Sequence, residues 1–409
     1  MKYGLIGKKL GHSYSKSIHG LLGNSEYELK EIPPEEVDGF LDNAKFKGIN
    51  VTIPYKEKVM PYVIPDEVSK KIGCVNTVVN KNGKLYGYNT DYYGFSCTVK
   101  RSGINFSGKK VIILGSGGTS KTAASVAGDQ GAEKIIIISR GGENNYDNVS
   151  DHSDADIIIN TTPVGMYPNN GVSPINDLGI FRDSLTVIDI IYNPLRTELL
   201  LQAEDRGMIT ANGLSMLVAQ AKKAAELFTR ASIPDEQVEQ TTSKIARLTR
   251  NIILIGMPGC GKSSVGAALA EKTGREFADT DDWVVKAAGK SIPDIFAADG
   301  EEAFRKLESD ALKTLCKRGG LVIATGGGIV KRRENRNALK QNGTVIFLDR
   351  DIAELPASGR PLSEKEGAAA LAAARLPLYA QWSDHTVPVR GVEQTAADIF
   401  RRFTEGALS

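Results

Sequence analysis

Eight residues constrain this chain more than any others: Gly256-Met257-Pro258-Gly259-Cys260-Gly261-Lys262-Ser263, set between the apolar run Ile252-Ile253-Leu254-Ile255 and the helical stretch Ser264 to Lys272. Strand, glycine turn, Lys-Ser and helix make a P-loop. Its backbone amides cradle phosphates, the lysine reaches the β- and γ-phosphates, and the hydroxyl joins a Mg²⁺ shell. The spacing therefore predicts a nucleoside triphosphate site at Gly259, Cys260, Gly261, Lys262, Ser263 and Ser264. Cys260 reads as a small loop residue. A P-loop does not name the phosphate acceptor.

A second glycine turn follows a different design. Val111-Ile112-Ile113-Leu114 runs into Gly115-Ser116-Gly117-Gly118-Thr119-Ser120 and then into a helical pattern. Amides and helix dipole at such a turn favour a pyrophosphate, and a further strand, Ile135 to Ile138, arrives at the separation of a mononucleotide-binding half. Ser120 fills the third glycine position. Where NAD-specific chains carry a carboxylate for the ribose, this one has Ser139-Arg140, and a guanidinium there suits a 2′-phosphate. NADP is expected over NAD, with Gly115, Ser116, Gly117, Gly118, Thr119, Ser139 and Arg140 as its contacts.

Two unrelated nucleotide turns imply more than one domain, as does a length of 409 residues. Apolar residues at 41% and charged residues at 24% are those of a globular chain, and a net charge of +2 leaves no broad footprint for nucleic acid. Small anionic ligands fit better. The four cysteines lack the paired spacing of zinc or redox motifs. Met1 to Lys9 carries no signal-peptide apolar core, and no run is long enough to span a bilayer, so no membrane association and cytoplasmic residence are expected. Apolar runs at 49–53, 111–114, 135–138 and 187–191 alternate with helical stretches such as Leu214 to Phe228, which predicts α/β layering with largely parallel sheets. From Pro234 to Arg250 the chain is polar, placing a boundary near residue 247.

Motifs outside the turns name substrates. Gly11-His12-Ser13-Tyr14-Ser15, Asn50-Val51-Thr52-Ile53-Pro54-Tyr55-Lys56, Val75-Asn76-Thr77 and Asn89-Thr90-Asp91 resemble the shikimate dehydrogenase family in order and spacing. Asn160 to Met166, Asp189 with Tyr192, and Asn212 to Gln220 extend the resemblance over residues 3–230. It implies Lys56 and Asp91 as the catalytic pair, with Ser13, Ser15, Thr52, Asn76, Asp91, Tyr192 and Gln220 around 3-dehydroshikimate or shikimate. Taken singly, such lysines are solvated, such serines cap turns and Asn-Thr-Asp makes an Asx turn; only the combination points to chemistry. His12 and His19 read as structural.

The P-loop half resembles shikimate kinase over residues 251–390, through Asp279-Thr280-Asp281, Phe304-Arg305 with Glu308, Gly326-Gly327-Gly328, Arg360-Pro361-Leu362 and Arg375-Leu376-Pro377-Leu378-Tyr379. That resemblance implies ATP and Mg²⁺, with Ser263 and Asp279 serving the metal and Lys262, Asp281 and Arg360 the reaction. Asp281, Arg305, Gly326, Gly327, Gly328 and Arg375 would hold the acceptor. In isolation Arg305 would be a solvated partner of Glu301 or Glu308. Ser363, Val285, Gln381 and Ser383 depart from the family pattern.

The expected architecture is an α/β substrate-binding domain (1–95, completed by a returning helix at 213–243), a Rossmann NADP domain (96–212), a linker (244–250) and a P-loop nucleoside-monophosphate-kinase-like α/β domain (251–409). Alternatives are a catalytically inactive ligand sensor on the same folds, or specificity for quinate or a related polyol.

Overall fold

The computed structural model describes residues 1–11, 13–355 and 368–405. The chain divides into two compact units, Met1–Ile245 and Ala246–Ser409.

The first unit opens with β1 (Tyr3–Gly7), α1 (Ser15–Leu21), β2 (Tyr27–Glu31), α2 (Val37–Asn43), β3 (Gly48–Val51), β4 (Ile64–Pro65), α3 (Glu67–Ile72), β5 (Thr77–Lys81) and β6 (Lys84–Tyr88). Its six-stranded sheet has the order β2-β1-β3-β5-β6-β4. The sheet is mixed: β1 is parallel to β2 and β3, whereas β5 is antiparallel to β3 and β6. The expectation of largely parallel sheets holds for the chain, and the antiparallel pairings of β5 are the exception. The signal was the Asn82-Gly83 pair, both at positive φ, which makes the tight turn of a hairpin between β5 and β6. The apolar run at 49–53 also ends early as a strand, and Ile53 is 74% exposed.

Then α4 (Thr90–Arg101) leads to β7 (Lys110–Leu114), α5 (Gly118–Asp129), β8 (Lys134–Ile138), β9 (Ile157–Asn160), β10 (Thr186–Asp189), α6 (Glu198–Asp205) and β11 (Ile209–Asn212). Every pair in the sheet β11-β10-β9-β7-β8 is parallel. Counted within this domain the order is 2-1-3-4-5. The strand direction of travel reverses between β7 and β9, and ligands of such sheets bind outside the carboxyl ends at that point. Residues 111–114 are wholly buried, as a strand covered by helices on both faces requires.

The chain then returns through α7 (Leu214–Thr229), which packs on α4 and seats Phe228 against β3. A methyl built on Gly48 would lie 2.2 Å from Phe228 Cδ1, so only glycine admits the ring there. Arg230 ends α7 at φ 60°, and α8 (Glu236–Thr249) follows. Here two expectations are corrected. The returning helix at 213–243 is two helices, and the linker at 244–250 is helical as far as Thr249. Val238, Thr241 and Ile245 are buried at i, i+3 and i+7, a sparse stripe that the polar composition concealed.

The second unit contains β12 (Asn251–Ile255), α9 (Lys262–Thr273), β13 (Phe277–Asp279), α10 (Thr280–Ala288), α11 (Ile292–Lys317, broken at Gly300), β14 (Val322–Ala324), α12 (Glu334–Asn342), β15 (Gly343–Asp349), α13 (Ala368–Trp382), β16 (His385–Pro388) and α14 (Val392–Thr404). Its parallel sheet runs β13-β14-β12-β15-β16. Central β12 is buried along its whole length and packs against apolar side chains on both faces. No described helix is long and apolar enough to cross a membrane.

Candidate active sites

In the first unit, Lys56 lies on the loop after β3 and Asp91 in the first turn of α4. Lys56 Nζ donates to Asp91 Oδ2 at 2.5 Å, and the two side chains keep only 16% and 11% of their surface. Helix α4 starts there because Asn89 caps it, accepting from Tyr92 N. Asn76 is buried beside the pair. Its Oδ1 accepts from Thr90 N (2.7 Å), which leaves its amide nitrogen as the group available to a ligand. Thr90 Oγ1 in turn donates to Gln220 Oε1 (3.3 Å) on α7. Lys56, Asp91, Asn76 and Gln220, spread over 165 residues of chain, thus belong to one connected neighbourhood.

Ser13 Oγ accepts from Ser15 N at 3.2 Å, where α1 begins. The rings of Tyr14 and Tyr192 lie 5.3 Å apart, which brings Tyr192 beside this serine turn. Burial pushes the Tyr192 hydroxyl above its ordinary value. Thr52 is half-buried at the foot of the Lys56 loop. His19 is fully buried, stacked on Tyr27 at 3.8 Å, and pushed down to about 3 by burial, as a core histidine is.

The glycine turn sits at the switch point. Gly115 has φ 102°, and a methyl there would lie 2.9 Å from Thr161 Oγ1, so glycine is needed for both conformation and closeness. No side chain caps the N-terminus of α5, and a methyl on Gly117 would meet nothing within 4 Å. An open, uncapped helix start fits a pyrophosphate. Ser116 is exposed, Thr119 half-buried, and Ser120 is turned inward. Ser139 and exposed Arg140 follow β8, and Arg140 makes no ion pair among the described residues. Asp189 at the end of β10 is wholly buried. It accepts from Thr197 Oγ1 (2.6 Å), Asn160 Nδ2 (3.0 Å) and Ile191 N (3.0 Å), and burial raises its carboxyl to about 6 despite those bonds. A depression of about 610 Å³ near Phe46, Lys81 and Arg230 contains none of these residues.

In the second unit, Gly256, Gly259 and Gly261 carry φ of 148°, 83° and 101°, the turn that side-chain-bearing residues resist. Lys262 is buried, its Nζ donating to Gly256 O (3.0 Å) and Met257 O (2.9 Å) across the loop. Cys260 is buried under the loop, whereas Ser263 and Ser264 are exposed. Ser263 Oγ donates to Asp279 Oδ2 at 2.6 Å, and Asp279 caps α10 through Asp281 N. Among the described residues no group of three His, Cys, Asp or Glu is placed to hold a metal ion by itself. One hydroxyl beside one carboxylate fits Mg²⁺, which keeps waters and takes substrate phosphate oxygens.

Facing the loop, Gly326–Gly328 form a floor that only glycine permits. A methyl on Gly328 would sit 1.9 Å from Arg305 Nη1, and one on Gly327 2.7 Å from Pro258. Arg305 is buried, donating to Glu308 Oε2 (2.7 Å) and Glu301 Oε1 (3.2 Å). Arg375, also buried, donates through Nη1 to Gly327 O (3.1 Å), as does Tyr379 OH. Asp281 Oδ1, Glu308 Oε1 and Arg375 Nη2 are buried here with no partner among the described residues. Burial, then Asp279 and Glu308, push Asp281 up to about 6 against the pull of Lys262 and Arg305. Burial likewise raises Glu308. Two carboxylate oxygens and a guanidinium nitrogen left open in one place ask for a ligand that donates hydroxyls and carries an anion.

Glu308, Tyr379 and Thr280, whose Oγ1 accepts from Gly326 N (2.9 Å), were missed as site residues. All three stand within the motifs given above, and only burial distinguishes them from surface residues. Arg360 and Ser363 lie outside the described residues.

Residues 258–405 match the family model of shikimate kinase, and residues 5–78 that of the shikimate dehydrogenase substrate binding domain. A shikimate dehydrogenase (NADP(+)) of Clostridium perfringens is 37% identical over 260 residues, 58% of this chain and 95% of that protein. The structure of shikimate dehydrogenase 1 from Peptoclostridium difficile superposes with a TM-score of 0.55 at 36% identity, covering 60% of this chain and 98% of the other. That of the Thermus thermophilus shikimate 5-dehydrogenase, in complex with NADP(H) and shikimate, gives 0.54 at 26% identity, covering 60% and 99%. The chain therefore belongs to the shikimate dehydrogenase family through its first unit, and carries a shikimate kinase domain after it.

Proposed function

We propose that the chain performs two consecutive reactions: NADPH-dependent reduction of 3-dehydroshikimate to shikimate, and ATP-dependent phosphorylation of the shikimate 3-hydroxyl. The observation that carries the first is the half-buried Lys56–Asp91 pair at 2.5 Å beside Asn76 and Gln220. NADPH, when bound, supplies a hydride to the ring carbonyl carbon. Lys56 donates the proton that the developing alkoxide needs, and Asp91 orients the ammonium. Ser13 and Ser15 bind the carboxylate, while Asn76, Asp91 and Gln220 bind ring hydroxyls, with Thr52 and Tyr192 lining the site. Gly115 to Thr119 receive the pyrophosphate, and Ser139 and Arg140 the 2′-phosphate.

For the second reaction, Lys262 leaves the loop carbonyls for the β- and γ-phosphates of ATP, and Ser263 with Asp279 holds Mg²⁺, which neutralises phosphate charge. Asp281 accepts the hydrogen of the attacking hydroxyl, and Arg305 and Arg375 grip the carboxylate over the glycine floor. Arg360 reaches the phosphates. The domain limits proposed above fit these assignments, with 236–249 now a helix. Both substrates are small cytoplasmic metabolites on this reading.

The test is turnover of the purified chain and of two variants. Lys56→Ala should abolish reduction and leave the kinase rate near wild type, and Lys262→Ala the reverse. Retention of most reductase activity in Lys56→Ala would refute its role as proton donor.

A further inference from the structure

The helix that starts at the cofactor turn is tied to the loop that carries the proposed proton donor. A methyl built on Gly118, the first residue of α5, would lie 3.6 Å from Cys74 Sγ, in the segment leading to Asn76. Four charged groups act on that buried thiol: Lys56, Asp91, Lys121 and Glu57. They form two ion pairs. Lys56 turns to Asp91, and its chain neighbour Glu57 accepts from Lys121 Nζ of α5 at 2.7 Å. Lys56 O accepts from Val75 N (2.9 Å), so the loop between the two side chains is pinned. The far end of α5 is held as well: Asp129 accepts from Lys71 Nζ of α3 (2.5 Å) and from Tyr92 OH (2.8 Å), the residue after Asp91.

Both ends of α5 are thus held by elements that carry the Lys56–Asp91 pair. Resting on the dehydrogenase reading, we infer that Glu57 and Lys121 are positioning residues whose ion pair sets the register of the cofactor helix against Lys56. Lys121 has its ammonium on Glu57 rather than aimed at the open turn, so its effect falls on alignment and not on cofactor affinity. The pair is exposed, 45% for Lys121 and 58% for Glu57, which limits what it contributes. Exposed pairs are worth a fraction of a kcal/mol to about one, so the loss of alignment should be about two- to fivefold in rate.

The experiment compares Glu57→Gln, Lys121→Met, the double variant and the exchanged pair Glu57→Lys with Lys121→Glu, all in the full chain. Reductase kcat and KM, NADPH affinity by fluorescence titration, and kinase rate are measured. Each single change should lower reductase kcat about two- to fivefold, with NADPH affinity and kinase rate near wild type. The double variant should be no worse than either single, and the exchanged pair should recover at least half of the loss. Additive losses, no loss at all, or no recovery by the exchanged pair would overturn the inference. So would an NADPH affinity that collapses in Lys121→Met but not in Glu57→Gln, because Lys121 would then read the phosphate itself. Absence of turnover in the wild-type chain would overturn the dehydrogenase reading first, and this inference with it.

Discussion

If Asp281 must be ionised to accept the hydrogen of the attacking hydroxyl, the kinase rate should fall on the acid side with an apparent pKa near the value of about 6 to which burial, Asp279 and Glu308 raise it. Glu308→Gln removes one of those causes. A methyl on Gly326 would lie 2.3 Å from Glu308 Oε1 and 2.8 Å from Asp281 Oδ1, so the two oxygens cannot be farther apart than those distances together. Two unit charges roughly 5 Å apart interact by about 3 kcal/mol at an effective permittivity near 20. That is roughly two pKa units for an isolated pair of charges at that separation. Glu308 shares its charge with Arg305 at 2.7 Å, and it ranks behind burial and Asp279 among the causes of the shift. The expected movement is therefore about half a unit to one unit. Its sign is fixed: losing a like charge, and freeing Arg305 from Glu308, both favour the Asp281 carboxylate. The assay is kcat/KM for shikimate between about pH 4.5 and 8 at saturating MgATP, in wild type and Glu308→Gln. An acid limb that stays in place or moves to higher pH would refute the reasoning, whatever happens to the absolute rate.

Asp189 yields a stability test. Its folded-state pKa of about 6 exceeds the ordinary 3.8, so the folded state holds the proton more tightly, and stability falls as pH rises from about 4 to about 6, by about 3 kcal/mol in all. In Asp189→Asn that pH-dependent component should vanish from the melting of the dehydrogenase unit; a wild-type-minus-variant difference constant over that window would contradict it. Arg140→Ala should weaken NADPH about tenfold while leaving NADH nearly unchanged in binding titrations, since only the former carries the 2′-phosphate. Gly328→Ala drives a methyl into Arg305 and should raise KM for shikimate ten- to hundredfold with KM for ATP preserved. Steady-state kinetics with each substrate varied would show it.

What the sequence determined by itself is local and ordered along the chain. A glycine turn is a backbone requirement, so the positive-φ turns at Gly115 and Gly256–Gly261 were legible from residue type and spacing, as were β7, β8, β12 and α7. The Lys56 and Asp281 neighbourhoods were legible only through resemblance, because a lysine in a loop or an aspartate at a helix start looks alike whether solvated or buried. Composition misled where the apolar signal was sparse. Val238, Thr241 and Ile245 carry α8 through a polar stretch that reads as a linker. Tertiary structure alone decided which polar groups are desolvated and what they meet. Glu308, which stands among charged and apolar residues alike in the sequence, becomes 1% exposed against Arg305, and Glu57 finds Lys121 across 64 residues. The physical reason is that burial and long-range electrostatics depend on what the rest of the chain packs around a side chain, and no window of neighbouring residues contains that information.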